Sequence, residues 1–282
     1  MNENRVVVIG AGTMGNGITH IFAQRGYKVS LVDIRQEFLA RALNAIEKNL
    51  DRQIKKELIS ETDKKETLKR VSTSTDFAEV KDAFLYIEAV PENARLKCDI
   101  FRKLDVITTE GAIIASNTSS ISITELAAAT NRPENVIGMH FMNPVPVMTL
   151  IEVIRGLATS DDTLNTIIEV SKKLGKTPVE VHDYPGFISN RVLMPMINEA
   201  IYCLMEGVAN EESIDTVMKL GMNHPMGPLR LADFIGLDVC LNIMNVLYEG
   251  FGDSKYRPCP LLKKMVTAGY LGKKSGRGFY NY

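Results

Sequence analysis

No charge of one sign dominates this chain of 282 residues: its formal net charge is −1. That gives no global electrostatic case for a nucleic-acid partner or for a membrane surface. Cysteine is scarce too. The four present, Cys98, Cys203, Cys240 and Cys259, lie far apart with no CxxC or metal-ligand spacing. Neither a disulfide framework nor a metal site is expected, and the usage fits a reducing compartment. No apolar run reaches the length of about 18 residues that spans a bilayer. There is no repeat and no low-complexity segment. A strand pattern begins within about five residues of Met1, which leaves no space for a signal peptide. The expectation is a soluble, cytoplasmic protein.

What the chain does have is an ordinary globular composition, 45% apolar and 24% charged, in a length that suits one large or two medium domains. RVVVI at 5–9 is a β-branched run of the kind a strand buried on both faces needs. A helix to about Arg25 follows, then YKVSLV up to Asp33. Residues 36–58 carry Leu39, Leu43, Ile46, Leu50, Ile54 and Leu58 on one helical stripe. Further strand-like runs are FLYIEAV (84–90), AIIAS (112–116), VIGMH (136–140), LIEVI (150–154) and PVEV (178–181). Strands alternating with helices imply a parallel, doubly wound sheet. After YPGFISNR (184–191) only helical segments are expected, near 187–206, 211–220, 228–250 and 259–269. The predicted organisation is an α/β domain over 1–184 and an all-helical domain over 185–282. The apolar faces of such an appended domain predict a homodimer or higher homo-oligomer.

Gly10-Ala-Gly12-Thr13-Met14-Gly15 matches G-x-G-x-x-G. It follows a strand, opens a helix and is followed by a second strand ending in Asp33, the context a dinucleotide fingerprint requires. Gly10 makes the tight turn, Gly12 lets backbone approach a pyrophosphate, and Gly15 lets the helix pack on the strand. The helix start, with Thr13 and Met14, offers free N–H groups and a positive dipole end to the phosphates. Asp33 would accept hydrogen bonds from ribose hydroxyls and repel a 2′-phosphate, which favours NAD. Arg35 partly offsets that repulsion, so NADP stays open as the second choice.

Oxidising a secondary alcohol sends a hydride to a nicotinamide and a proton to a base. Imidazole is the side chain whose ordinary pKa suits that base. In GMHFMNPVPVMTLIEV (138–153) His140 ends one expected strand and Glu152 lies on the next, so pairing in the sheet would bring them together. A carboxylate on the far nitrogen would fix the tautomer and stabilise the imidazolium. Taken alone, a histidine at a strand end is more often structural. His20, His182 and His224 have no carboxylate at matching spacing and are read that way.

With GAGTMG, EAVPEN, SNTSS, HFMNPVPVM, IEVI, PGFISNR, HPMGP and GRGFYNY in order, the chain resembles the L-3-hydroxyacyl-CoA dehydrogenase family along essentially its whole length. It is most similar to the short bacterial 3-hydroxybutyryl-CoA dehydrogenases. The resemblance implies a Rossmann-like NAD-binding domain followed by a helical domain that dimerises. It also implies NAD-dependent interconversion of (S)-3-hydroxyacyl-CoA and 3-oxoacyl-CoA, here 3-hydroxybutyryl-CoA and acetoacetyl-CoA. His140 matches the family's base and Glu152 its orienting partner. Ser119 and Asn190 match residues near the reacting carbon, with Ser119 also on the substrate. Glu92, Lys97 and Asn143 match contacts to the nicotinamide half, and Lys274 a cofactor contact near the C-terminus. Asn49, Arg52 and Lys56 fall where the family holds coenzyme A, though the cations on that helix would otherwise read as a solvated face. A dehydrogenase of a free hydroxy acid, and a non-catalytic dinucleotide-binding protein, remain the alternatives.

Overall fold

The computed structural model describes residues 4–77 and 80–282. The chain divides into two compact units, Met1–Asp183 and Tyr184–Tyr282.

The first unit is built on one eight-stranded sheet in the order β3-β2-β1-β4-β5-β6-β7-β8. Its strands are β1 (Arg5–Ile9), β2 (Lys28–Val32), β3 (Val71–Ser74), β4 (Leu85–Glu88), β5 (Ile113–Ser116), β6 (Val136–Phe141), β7 (Leu150–Arg155) and β8 (Thr177–His182). The helices are α1 (Thr13–Gln24), α2 (Gln36–Lys55), α3 (Glu61–Lys69), α4 (Ala94–Ile107), α5 (Ile123–Ala127) and α6 (Asp161–Lys173). β1 has neighbours on both edges and Val6, Val7 and Val8 are fully buried, the placement its β-branched run requires. The order reverses between β1 and β4, so the sheet has its switch point beside the glycine turn.

The parallel expectation holds from β3 through β6 and fails at β7, which runs antiparallel to β6. The connection 142–149 contains no helix, and a parallel crossover needs a dozen or more residues. Parallel pairing resumes between β7 and β8, which α6 links. Two elements escaped the sequence reading. α3 is polar almost all round and is held at its start by a Ser60–Asp63 capping box. β3 is a short, half-buried edge strand. α2 also stops at Lys55: Glu57 takes a positive φ of 56°, and Leu58, expected on the buried stripe, is 69% exposed.

The second unit holds α7 (Ser189–Met205), α8 (Glu211–Gly221), α9 (Pro228–Ile235), α10 (Leu237–Phe251) and α11 (Pro260–Thr267). Met194, Ile201, Leu229, Leu237, Met244, Leu247 and Leu262 are among its core residues. The single helix expected over 228–250 is two helices at 98° to each other. Gly236 makes the corner with a φ of +106°, a conformation that suits glycine. The closing GRGFYNY segment is tied down by carboxylates: Asp233 accepts from the N–H groups of Phe279 and Tyr280, and Asp215 accepts from the Tyr280 hydroxyl. Among the described residues no single helix is long and apolar enough to cross a membrane.

Candidate active site

Most of the expected site residues of the first unit gather at the carboxyl ends of its parallel strands, the edge where open α/β sheets bind ligands. Gly10 follows β1 there with a φ of +103°, and a Cβ at this position would meet the Ala89 carbonyl oxygen at 2.6 Å. Gly15 is tighter still, since its Cβ would lie 1.7 Å from the Gly10 oxygen. Over Gly12 a Cβ would meet nothing within 4 Å, so the turn is open where a ligand approaches. No side chain caps α1 at Gly12, which leaves its first-turn N–H groups, including those of Thr13 and Met14, to an incoming anion. Asp33 Oδ2 accepts from the Ala11 N–H at 2.7 Å, drawing the carboxylate against the turn. Arg35 is turned to Glu37 at 3.3 Å and stacks on Phe38. These residues fit a dinucleotide whose pyrophosphate sits on the helix start and whose adenosine ribose lies at Asp33.

His140 and Glu152 face each other in the β6–β7 register. His140 Nδ1 lies 2.8 Å from Glu152 Oε2, and the two residues are 8% and 2% exposed. The adjacent Phe141 N–H donates to the Asn117 side-chain carbonyl at 3.0 Å, which pins the end of β6 to the loop after β5. The connection carrying Asn143 is anchored from below. Buried Lys176, just before β8, donates to the Val145 and Met148 carbonyls at 2.7 and 2.6 Å. Burial, with Arg25 nearby, lowers the Lys176 pKa. Asn143 itself is exposed.

Ser119 lies in the turn after β5, and that turn converges on Glu92. Oε1 of Glu92 accepts from Thr118 Oγ1 at 2.5 Å, from the Ser119 N–H at 3.1 Å and from Ser120 Oγ at 3.0 Å. Its other oxygen lies 3.3 Å from Lys97 Nζ. Burial alone would raise the Glu92 carboxyl, but the Lys97 ammonium and the donors of the turn outweigh it, and its pKa is lowered. Lys97 reaches this place from the first turn of α4, which Asn93 caps.

The remaining expected residues lie elsewhere. Asn49 and Arg52 are joined at 3.1 Å on α2, and Lys56 is its exposed C-cap. Gln53 bonds Gln24, the last residue of α1, at 2.6 Å. That puts this cluster a full α1 length, about 18 Å for its 12 residues, from the glycine turn. Asn190 is in the first turn of α7 and 9% exposed, and Lys274 pairs with Asp238 at 2.5 Å; both belong to the second unit. Sequence reasoning missed Glu88, Asn117 and Lys176. Of these only Glu88 left a sign, a charge closing an otherwise apolar strand run.

Fold and site together define a dinucleotide-dependent oxidoreductase architecture with a histidine–carboxylate pair at the sheet edge. Residues 5–184 match the NAD binding domain of 3-hydroxyacyl-CoA dehydrogenase, and residues 186–282 match the C-terminal domain of the same enzyme. The chain therefore belongs to the 3-hydroxyacyl-CoA dehydrogenase family. It is 58% identical to a probable 3-hydroxybutyryl-CoA dehydrogenase of Bacillus subtilis, covering 100% of this chain and 98% of that one. A 3-hydroxybutyryl-CoA dehydrogenase of Clostridioides difficile is 51% identical over 99% of each chain. The crystal structure of (S)-3-hydroxybutyryl-CoA dehydrogenase from Ralstonia eutropha superimposes with a TM-score of 0.98 at 53% identity, covering 100% of this chain and 99% of that one.

Proposed function

We propose that this protein interconverts (S)-3-hydroxybutyryl-CoA and acetoacetyl-CoA with NAD, His140 exchanging the proton. The observation that carries the reading is the buried 2.8 Å His140–Glu152 contact at the same sheet edge as an uncapped glycine-turn helix. When bound, the nicotinamide takes or returns the hydride. With Nδ1 committed to Glu152, proton exchange with the substrate's 3-oxygen falls to His140 Nε2. In oxidation the imidazole removes the hydroxyl proton and Glu152 balances the charge that develops on the ring. In reduction the imidazolium returns it. Assistance of this kind is worth roughly 10²–10⁴-fold in rate.

Ser119 and Asn190 are assigned to substrate or cofactor oxygens near the reacting carbon. Glu92, Lys97 and Asn143 are assigned to the nicotinamide half of the cofactor, Lys274 to a further cofactor contact, and Asn49, Arg52 and Lys56 to coenzyme A. Arg52 and Lys56, exposed cations near one helix end, suit its phosphates. Val192, Val217 and Leu220 of the second unit are 67%, 60% and 80% exposed, apolar side chains that a homodimer would cover. Free thiols at all four cysteines suit the cytoplasm.

The test is the initial rate of acetoacetyl-CoA reduction with NADH and with NADPH, for the parent and for His140→Gln. The parent should turn over mainly with NADH, and the variant should lose turnover while still binding NADH. Full activity in His140→Gln refutes the assignment, and a parent that prefers free acetoacetate to its CoA ester refutes the substrate.

A further inference from the structure

Behind the cofactor end of the site lies a charge that no ligand can reach. Glu88, the last residue of β4, is 0% exposed. Its Oε1 accepts from the Val90 N–H at 2.7 Å and from Lys97 Nζ at 2.7 Å. Its Oε2 accepts from Ser116 Oγ at 2.6 Å and from the same ammonium at 3.0 Å. Lys97 also donates to the Val90 carbonyl at 3.2 Å and is itself 1% exposed. Only then comes Glu92, whose side chain is 38% exposed and which gathers the Thr118–Ser120 turn. The layers thus run outward from a sealed carboxylate, through a sealed ammonium, to a carboxylate at the surface.

We propose that Glu88 is a positioning residue for the cofactor site, holding Lys97 by both carboxylate oxygens so that Glu92 and the Ser119 turn are set for the nicotinamide half. The inference rests on the reading that Glu92 and Lys97 serve that half of the cofactor. Three features distinguish it from an ordinary core ion pair. Desolvating a carboxylate and an ammonium is costly, and a buried pair of this kind is often replaceable by apolar residues without loss of stability. All of Glu88's contacts converge on the strand ends where ligands bind. Finally, one ammonium serves two carboxylates, so the net negative charge is carried by Glu92, the partner nearer solvent. Without Glu88, Lys97 has Glu92 as its sole carboxylate partner among the described contacts. The ammonium would draw Glu92 inward and away from the turn that donates to it.

The experiment is NADH titration by fluorescence on the full chain, with melting temperature and steady-state kinetics, for Glu88→Gln, Lys97→Met and the double variant. Glu88→Gln is expected to raise the NADH Kd and KM about tenfold while kcat at saturating NADH falls less than threefold. The double variant should bind no worse than Lys97→Met alone, because Glu88 acts through Lys97. Glu88→Asp, which keeps the charge, should recover part of the affinity. An NADH Kd within twofold of the parent in Glu88→Gln overturns the proposal, even if the variant melts early. Losses that multiply in the double variant also overturn it. Should Glu88→Gln fail to fold, Ser116→Ala removes one bond to Glu88 and leaves the ion pair. A Kd raised about threefold supports the proposal there, and an unchanged Kd sinks it. A parent that binds NADH but does not reduce acetoacetyl-CoA would remove the proposed function and leave this comparison of affinities intact.

Discussion

Replacing Glu152 by glutamine keeps the shape of the His140 contact and removes its charge. The pair is buried and 2.8 Å apart, so solvent screens it poorly. Two unit charges about 4 Å apart attract by about 4 kcal/mol at an effective dielectric near 20. A neutral hydrogen bond to the amide would retain about 1 kcal/mol. The imidazolium formed in oxidation, and required in reduction, therefore loses about 2–3 kcal/mol of support. At about 1.36 kcal/mol per factor of ten, kcat should fall roughly 30- to 150-fold in both directions. The loss grows further if the glutamine NH₂ donates to Nδ1, because the ring then carries its proton on Nε2, the nitrogen meant to accept. NADH affinity should change little, since the proposed reading gives this pair the substrate's proton and the glycine turn the cofactor's phosphates. Stopped-flow absorbance of NADH with acetoacetyl-CoA, run beside fluorescence titration of NADH, separates the two effects. NADH deuterated at the transferred position should show a larger isotope effect in Glu152→Gln than in the parent, because chemistry becomes slower relative to product release. A kcat within fivefold of the parent would refute the electrostatic argument, as would an equal loss of NADH affinity.

Gly15→Ala places a methyl 1.7 Å from the Gly10 oxygen, with backbone on both sides of the clash. NADH Kd should rise at least tenfold with a fall of several degrees in melting temperature, and an alanine variant that binds like the parent would show that the turn is not tight. In Asp33→Asn the bond from the Ala11 N–H can persist while repulsion of a 2′-phosphate is lost, so the NADPH-to-NADH ratio of kcat/KM should rise at least tenfold; an unchanged ratio assigns cofactor choice elsewhere. His20 is fully buried, both ring nitrogens lack a hydrogen-bond partner among the described residues, and burial pushes its pKa down from 6.5 to about 4, with Lys176 adding to the shift. Above pH 6.5 folded and unfolded states both carry neutral imidazole. Between pH 6.5 and 4 only the unfolded chain takes the proton, so stability falls as pH falls, by about 3 kcal/mol in total. Urea midpoints at pH 7.5 and 4.5 should separate less in His20→Leu than in the parent; an equal separation would mean His20 does not contribute.

How much of this was legible follows from what a local pattern can carry. RVVVI, LYI and IIAS declare buried strands because β-branched and apolar residues fill both faces, and the observed strands fall where those runs fall. The glycine turn was readable because Gly10 and Gly15 answer steric demands, a Cβ on either one running into backbone, while the space over Gly12 stays open. α3 left no trace, because ETDKKETLK is polar almost all round and its order comes from the Ser60 cap and from packing beside α1 and α2. Glu88 could be noticed but not explained, since its partners Lys97 and Ser116 stand 9 and 28 residues away, one brought to it by α4 and the other by the neighbouring strand. The His140–Glu152 pair lies between these extremes. The connection between the two strands, residues 142–149, is too short for a parallel crossover and long enough for a reversal. The absence of a helical pattern in FMNPVPVMT thus already implied that β7 turns back on β6. An antiparallel return sets residues of the two strands directly opposite one another. The reversal that departs from the expected parallel sheet is therefore the feature that delivers the carboxylate to the histidine.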